Sequence, residues 1–178
     1  MPRKRSIGAV VILDDPDGER KAVLQVRDQG DSFPGCAQLT VHGRVEDGES
    51  LKEALRRESH EEIEELFRRA NQPSSPAILE LAHVPPEPLH VEGRATTPKE
   101  QVVSLSLTVR DPSFLSLIQP LIDSGVIRLV STNDLPNIVT INPKNPDQKQ
   151  HGIGEGLIGM FADERQVVER VLSSTAKP

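Results

Sequence analysis

With 178 residues, the chain is long enough for one domain with a proper core, and a net charge of −6 argues against nucleic acid or an anionic membrane as its main partner. The single cysteine, Cys36, excludes a disulfide framework and fits a reducing cytoplasm, which is the expected location. The apolar run from Ile7 to Leu13 falls well short of the ~20 residues that span a bilayer. Asp14-Asp15 follows it with no cleavage site, so it reads as a buried strand rather than a signal peptide.

Taken in chain order, Ser6–Leu13 and Lys21–Arg27 read as strands, and the turn chemistry of Asp14-Asp15-Pro16-Asp17-Gly18 between them predicts a hairpin. Gly30–Gly35 is a loop and Ala37–His42 a short strand. Ser50 and Glu53 form a capping box, which starts a helix at Leu51 that runs to about Ala70. The stretch Asn71–Pro76 stops it. Ile78–Val84 is expected as a strand, Gly93–Lys99 as an exposed loop, and Gln101–Arg110 as a strand with Val103, Leu105, Leu107 and Val109 on one face. A helix over Pro112–Asp123 and a strand over Val126–Val130 follow, then a long irregular segment over Ser131–Gly159. Val167, Val168, Val171 and Leu172 give Asp163–Leu172 the spacing of an amphipathic helix. Mixed strands with a central and a terminal helix indicate an α/β layered fold. One domain is expected over 1–178, with a core over about 5–135 and an irregular segment plus helix over about 136–174.

The central helix carries the chemistry. Glu58, Glu61 and Glu62 stand at i, i+3 and i+4, so they project from one face. Like charges at that spacing cost roughly 0.2–0.5 kcal/mol per pair. Glu64 and Glu65 each have an arginine four residues on, Arg68 and Arg69, and read as surface ion pairs. Glu58 has only glutamates at those offsets, and the one local cation of Glu61 is Arg57. Three glutamates are thus gathered without compensation, the arrangement that a hard divalent cation would relieve.

The stretch from Gly43 to Glu65 resembles the Nudix box, Gly-x5-Glu-x7-Arg-Glu-U-x-Glu-Glu-x-Gly-U with U a bulky apolar residue. Gly43, Glu49, Arg57, Glu58, Glu61 and Glu62 all fall in register, and the upstream Val-Leu-Gln-x-Arg and Phe33-Pro34-Gly35 segments are similar too. Ser59 departs from the pattern where an apolar residue is usual, and Glu64 and Glu65 replace Gly-U, so the helix is expected to run on further before it turns. The resemblance implies a Nudix-like α/β/α sandwich with a mixed sheet and a loop-helix-loop catalytic motif. It implies hydrolysis of a nucleoside diphosphate linked to another moiety, with Mg²⁺ or Mn²⁺ as cofactor. In the implied roles Glu58, Glu61 and Glu62 hold the metal, with a backbone carbonyl near Gly43, and Glu58 doubles as base. Glu49 and Arg57 brace loop and helix, and Glu100, which begins the strand after a polar loop, is the candidate for the further catalytic or metal-binding carboxylate that several relatives carry downstream. The expected partner is a small nucleoside diphosphate derivative, with no membrane, no nucleic acid as main partner, and homodimerisation left open.

Other residues read as structural. Cys36 is a small core residue and His42, beside the box, has no metal-ligand spacing. Glu46 is a weaker site residue than Glu100. His151-Gly-Ile-Gly-Glu-Gly156 lacks the Lys-Ser/Thr of a phosphate loop and reads as a flexible loop. Two alternatives stand beside the hydrolase. A catalytically inactive binding or scaffold module is motivated by Ser59, Glu64 and the scarcity of aromatics, and opposed by the unpaired carboxylates. Isopentenyl-diphosphate isomerase is distantly similar through Phe33-Pro34-Gly35 and Val41-His42-Gly43-Arg44, but His42-Gly43-Arg44 replaces its Cys-Gly-His motif, removing that enzyme's cysteine and histidine.

Overall fold

The computed structural model describes residues 4–14, 19–73, 90–96, 100–109, 111 and 113–174. Strand β1 (Lys4–Asp14) is the axis of a seven-stranded mixed sheet. It runs parallel to β6 (Glu100–Val109) along its whole length. On its other edge it pairs antiparallel with β4 (Val41–Val45) through residues 5–9, then with β2 (Arg20–Val26) through residues 11–14. The β1–β2 register, Asp14 opposite Arg20, is that of the expected hairpin. Strand β3 (Ala37–Leu39) and β7 (Ile127–Val130) flank β2, and β5 (His90–Thr96) closes the sheet beyond β6.

Where β1 changes partner, the fork is filled by Thr40, which splits the expected Ala37–His42 strand into β3 and β4. Its Oγ1 accepts the Val11 N–H at 2.9 Å and donates to the Val23 carbonyl at 2.5 Å. Buried backbone groups left unpaired by the divergence thus find a partner.

Side-chain alternation along β1 builds two layers. Ile7, Ala9, Val11 and Leu13 join Val103, Leu105 and Leu107 under helix α1 (Leu51–Arg69) and α2 (Ser113–Asp123). Val10 and Ile12 join Ala22, Leu24, Ala37 and Leu39 under helix α4 (Ala162–Ser173), whose Val167, Val168, Val171 and Leu172 face them. The architecture is therefore the α/β/α sandwich that the resemblance implied.

Helix α1 begins with the full Ser50/Glu53 capping box. It runs on past Glu64 and Glu65 to Arg69, as their replacement of Gly-U led us to expect. It then stops in a Schellman motif: Asn71 adopts φ +54°, its N–H reaches Arg68 O, and the Gln72 N–H reaches Phe67 O. Asparagine takes the left-handed position that glycine usually fills.

Two expectations need correction. Gly93–Thr96 is not loop but part of β5, paired antiparallel with β6 through a register shift between Val91 and Gly93. Ser131–Gly159 is not irregular throughout: it holds a 3₁₀ turn (Thr132–Asn137), a parallel pair of β8 (Ile138–Thr140) with β9 (Ile158–Met160), and the short helix α3 (Pro146–His151). The expected strand Ile78–Val84 lies outside the described residues. Among the described residues, no helix is long and apolar enough to cross a membrane.

Candidate active site

Strand β4 and helix α1 meet at Gly43. A Cβ on Gly43 would lie 1.7 Å from the carboxyl carbon of Glu58, so only glycine lets this carboxylate rest on the strand. Glu58 is buried, and its charge is met by two donors on Oε1: the Arg44 backbone N–H at 3.0 Å and Arg57 Nη1 at 2.7 Å. Its Oε2 has no hydrogen-bond partner among the described residues.

Arg57 ties the loop before the helix to the strand. Its Nε and Nη2 grip the two oxygens of Glu49, each at 3.1 Å, and Nη2 also donates to the Arg44 carbonyl at 2.8 Å. Such a fork-on-fork pair fixes orientation as well as charge. The guanidinium hydrogen bonds hold Glu49 below the usual carboxylate range, and the same carboxylates push Arg57 up. Loop and helix are thus joined by the Glu49–Arg57 ion pair.

The other box glutamates differ in surroundings. The Glu61 side chain is 59% exposed and stands 3.6 Å from Arg57. Glu62 is half-buried; Oε2 accepts from Gln25 Nε2 at 2.7 Å, and burial pushes its carboxyl above the usual range, opposed by that hydrogen bond and by His42. Glu64 pairs with His60 at 3.4 Å rather than with Arg68, and Glu65 pairs with Arg68 rather than with Arg69. Arg69 turns instead to Asp28 and the Val26 carbonyl. The expected pairs Glu64–Arg68 and Glu65–Arg69 are therefore not the ones formed, although both glutamates do meet a partner on the helix surface. Glu100 opens β6 opposite Lys4; its side chain lies outside the described residues.

Glu58, Glu61 and Glu62 stand together in the middle of α1, but among the described residues no three acidic, imidazole or thiol groups converge as a ready cage. The donor set still suits a hard cation: Glu58 Oε2 and Glu62 Oε1 have no hydrogen-bond partner among the described residues, and Glu61 reaches solvent. Mg²⁺ keeps several waters and takes few carboxylates, so a preformed cage is not required.

A family model described as the NUDIX domain matches residues 3–115, more than half of the chain. The chain belongs to the Nudix family. Members of this family are in general pyrophosphohydrolases that act on phosphoanhydride bonds and use divalent metal ions. No curated protein matches the chain. Among solved structures, it is similar to DR0079 from Deinococcus radiodurans (20% identity, 61% of this chain and 57% of that one, TM-score 0.39). It is also similar to a mutT/nudix family protein from Listeria innocua (15% identity, 76% and 83%, TM-score 0.47). The NUDIX domain of Shewanella oneidensis NrtR, solved with ADP ribose, is a third (14% identity, 62% and 63%, TM-score 0.36). The chain therefore spans little more than half the length of the Deinococcus protein, and all three likenesses are too loose to bear on substrate.

On the opposite face of β4 from Glu58 lies a cleft of ≈ 320 Å³, lined by Gly8, His42, Arg44, Ser104 and Glu164 among others. His42 Nε2 and Glu164 Oε1 share a hydrogen bond at 2.5 Å across 122 positions of sequence. This pair joins α4 to the strand of the Nudix box. His42 is structural in that sense, as its sequence reading favoured. Glu164 escaped sequence reading, although it precedes Val167, Val168 and Val171 by i+3, i+4 and i+7 and so sits on the buried stripe. Gln25 enters the sequence reading only as part of the Val-Leu-Gln-x-Arg segment, and its contact with Glu62 was missed; its signal is a lone amide in the apolar run Ala22–Val26. The segment 151–156 is not free: Gly152, at φ +75°, lies against the Pro34 carbonyl, and the Phe33 N–H donates to Lys149 O at 2.8 Å.

Proposed function

We propose that the chain is a metal-dependent pyrophosphohydrolase that cleaves a nucleoside diphosphate linked to another moiety, with Glu58, Glu61, Glu62 and a carbonyl near Gly43 holding Mg²⁺ or Mn²⁺. The observation that carries this reading is the Glu58 carboxylate, seated on Gly43 and oriented through Oε1 by Arg44 N–H and Arg57, with Oε2 left over. A bound cation would neutralise the pyrophosphate oxygens and lower the barrier to water attack. The residues supply position: Arg57 and Glu49 lock the loop on the helix, and Glu58 is a base held beside the reacting phosphorus. Hydrolysis adds the water oxygen to one phosphorus and breaks its bond to the bridging oxygen, which leaves on the other phosphorus; the two protons of water are shared between products and base.

The cleft beside His42 and Arg44 is the natural seat for the group attached to the diphosphate, since it shares Gly43 and Arg44 with the carboxylate site. No phenylalanine lines it, so recognition there rests on polar and aliphatic contacts. Glu100 remains a further catalytic or metal-binding carboxylate in this reading. One domain over residues 1–178, acting on a small molecule in the cytoplasm, completes it. The test is a screen of nucleoside diphosphate derivatives with Mg²⁺ or Mn²⁺ in ¹⁸O-labelled water. Expected products are a nucleoside monophosphate and the phosphorylated second moiety, one of them labelled. Metal-independent turnover, or inorganic phosphate as the primary product, would overturn the reading.

A further inference from the structure

Gln25 stands in the middle of the apolar strand β2 and is 2% exposed. A primary amide at such depth costs free energy unless its groups are paired. Its pairing is complete: Nε2 donates to Glu62 Oε2 at 2.7 Å and to the Thr40 carbonyl at 2.6 Å, while Oε1 accepts from Gln38 Nε2 at 3.1 Å. The partners decide which end of the amide is which. A carbonyl only accepts, as does an ionised carboxylate, so a flipped amide would set oxygen against oxygen twice. Thr40, in turn, is fixed at the fork of the sheet by Val11 and Val23. Glu62 is thereby tethered, through Gln25 and Thr40, to the fork of the sheet.

We propose that Gln25 is a positioning residue for the metal-binding carboxylate Glu62. By holding Oε2 it fixes the side chain's rotamer and leaves Oε1 free for a cation. Outer partners of this kind orient ligating carboxylates, and losing one typically costs 10–100-fold in metal affinity or activity. Nothing in the Nudix box contains this residue: it lies on another strand, 37 positions before its partner. The assignment rests on the metal-dependent reading above.

The test is Mn²⁺ binding to the substrate-free protein by titration calorimetry, for wild type, Gln25→Leu, Glu62→Gln and the double variant. Gln25→Met, whose unbranched side chain fits the same slot, replaces Gln25→Leu if that variant does not fold. Expected is a loss of about 10–100-fold in Mn²⁺ affinity on removing Gln25, with no further loss when Glu62 is already glutamine. In turnover, the Mn²⁺ concentration for half-maximal rate should rise by the same factor with substrate KM nearly unchanged, and saturating Mn²⁺ should restore much of kcat. A folded Gln25→Leu that binds Mn²⁺ like wild type, while Glu62→Gln does not, overturns the positioning role and leaves the metal reading standing. Wild type that binds no Mn²⁺ overturns both.

Discussion

The carboxylate of Glu58 occupies the space that a side chain on Gly43 would need, with its two oxygens 2.1 Å from where a Cβ would stand. Strand and helix are thus close because one residue has no side chain and its neighbour across the gap has a charged one.

Gly43→Ala is therefore a site variant rather than a mild backbone change. The methyl group must drive Glu58 off the Arg44 N–H and Arg57, leaving a partly uncompensated buried charge. Expected is a fall in turnover of at least about 100-fold, with a stability loss of about 1–3 kcal/mol. Steady-state kinetics and thermal melting check both; normal turnover would show that the contact does not matter to catalysis.

Glu62 gives a prediction with a definite pH dependence. Burial raises its carboxyl above the ordinary range, so in metal-free protein the ionised form is less favourable folded than unfolded. Its stabilising contribution is present below the ordinary carboxylate pKa and is lost as pH rises through the raised one. Metal-free Glu62→Gln should accordingly melt higher than wild type at neutral pH, with the difference shrinking as pH falls below the carboxylate range. Mg²⁺ should reverse the order by stabilising wild type alone, about 2.7 kcal/mol at a hundredfold excess over its dissociation constant, and a chelator should undo it.

Ser59 lies buried at 1% exposure, and its hydroxyl has no hydrogen-bond partner among the described residues. Such a group costs about 1–3 kcal/mol relative to a satisfied one. Ser59→Ala removes the hydroxyl and leaves little void, so the protein should gain up to about 1 kcal/mol, a rise of about 2–4 °C in melting temperature. A lower melting temperature would show that the hydroxyl has a partner in solution.

Cys36 is 1% exposed, and burial pushes its thiol up despite the nearby Arg27 charge. Thiolate is the reactive form, so a raised value means less of it at a given pH. Alkylation of the native protein should be slow at pH 8, and should reach the rate of a free thiol only in denaturant. Rapid labelling without denaturant would contradict this packing.

Much of this was legible where the signal is local. The capping box, the length of α1 after Glu64 and Glu65 displaced the usual glycine, and the alternation of Val103, Leu105 and Leu107 are all consequences of near neighbours. The partners of Glu64 and Glu65 were misjudged because a helical side chain can reach back four residues, as Glu64 does to His60, or forward three, as Glu65 does to Arg68, as well as forward four, and rotamers choose. Gly93–Thr96 read as loop because its composition is that of a loop; pairing with β6 makes it a strand. Thr40, Gln25 and the His42–Glu164 pair depend on chain segments that meet only after folding. No window along the chain contains them.

The sheet face bearing Val10, Ile12, Ala22 and Leu24 is covered by Ile138, Ile158, Met160 and the valines of α4. All of that cover comes after residue 115, where the recognisable family segment ends. A fragment trimmed to the homologous stretch would turn an oily plane to water, and copies of it would stick to one another through that plane. It would also lose Glu164, and with it the tether on His42 next to Gly43. For anyone expressing this protein, the stretch that identifies its relatives is shorter than the stretch that covers its sheet, and the cloning boundary belongs beyond Ser173.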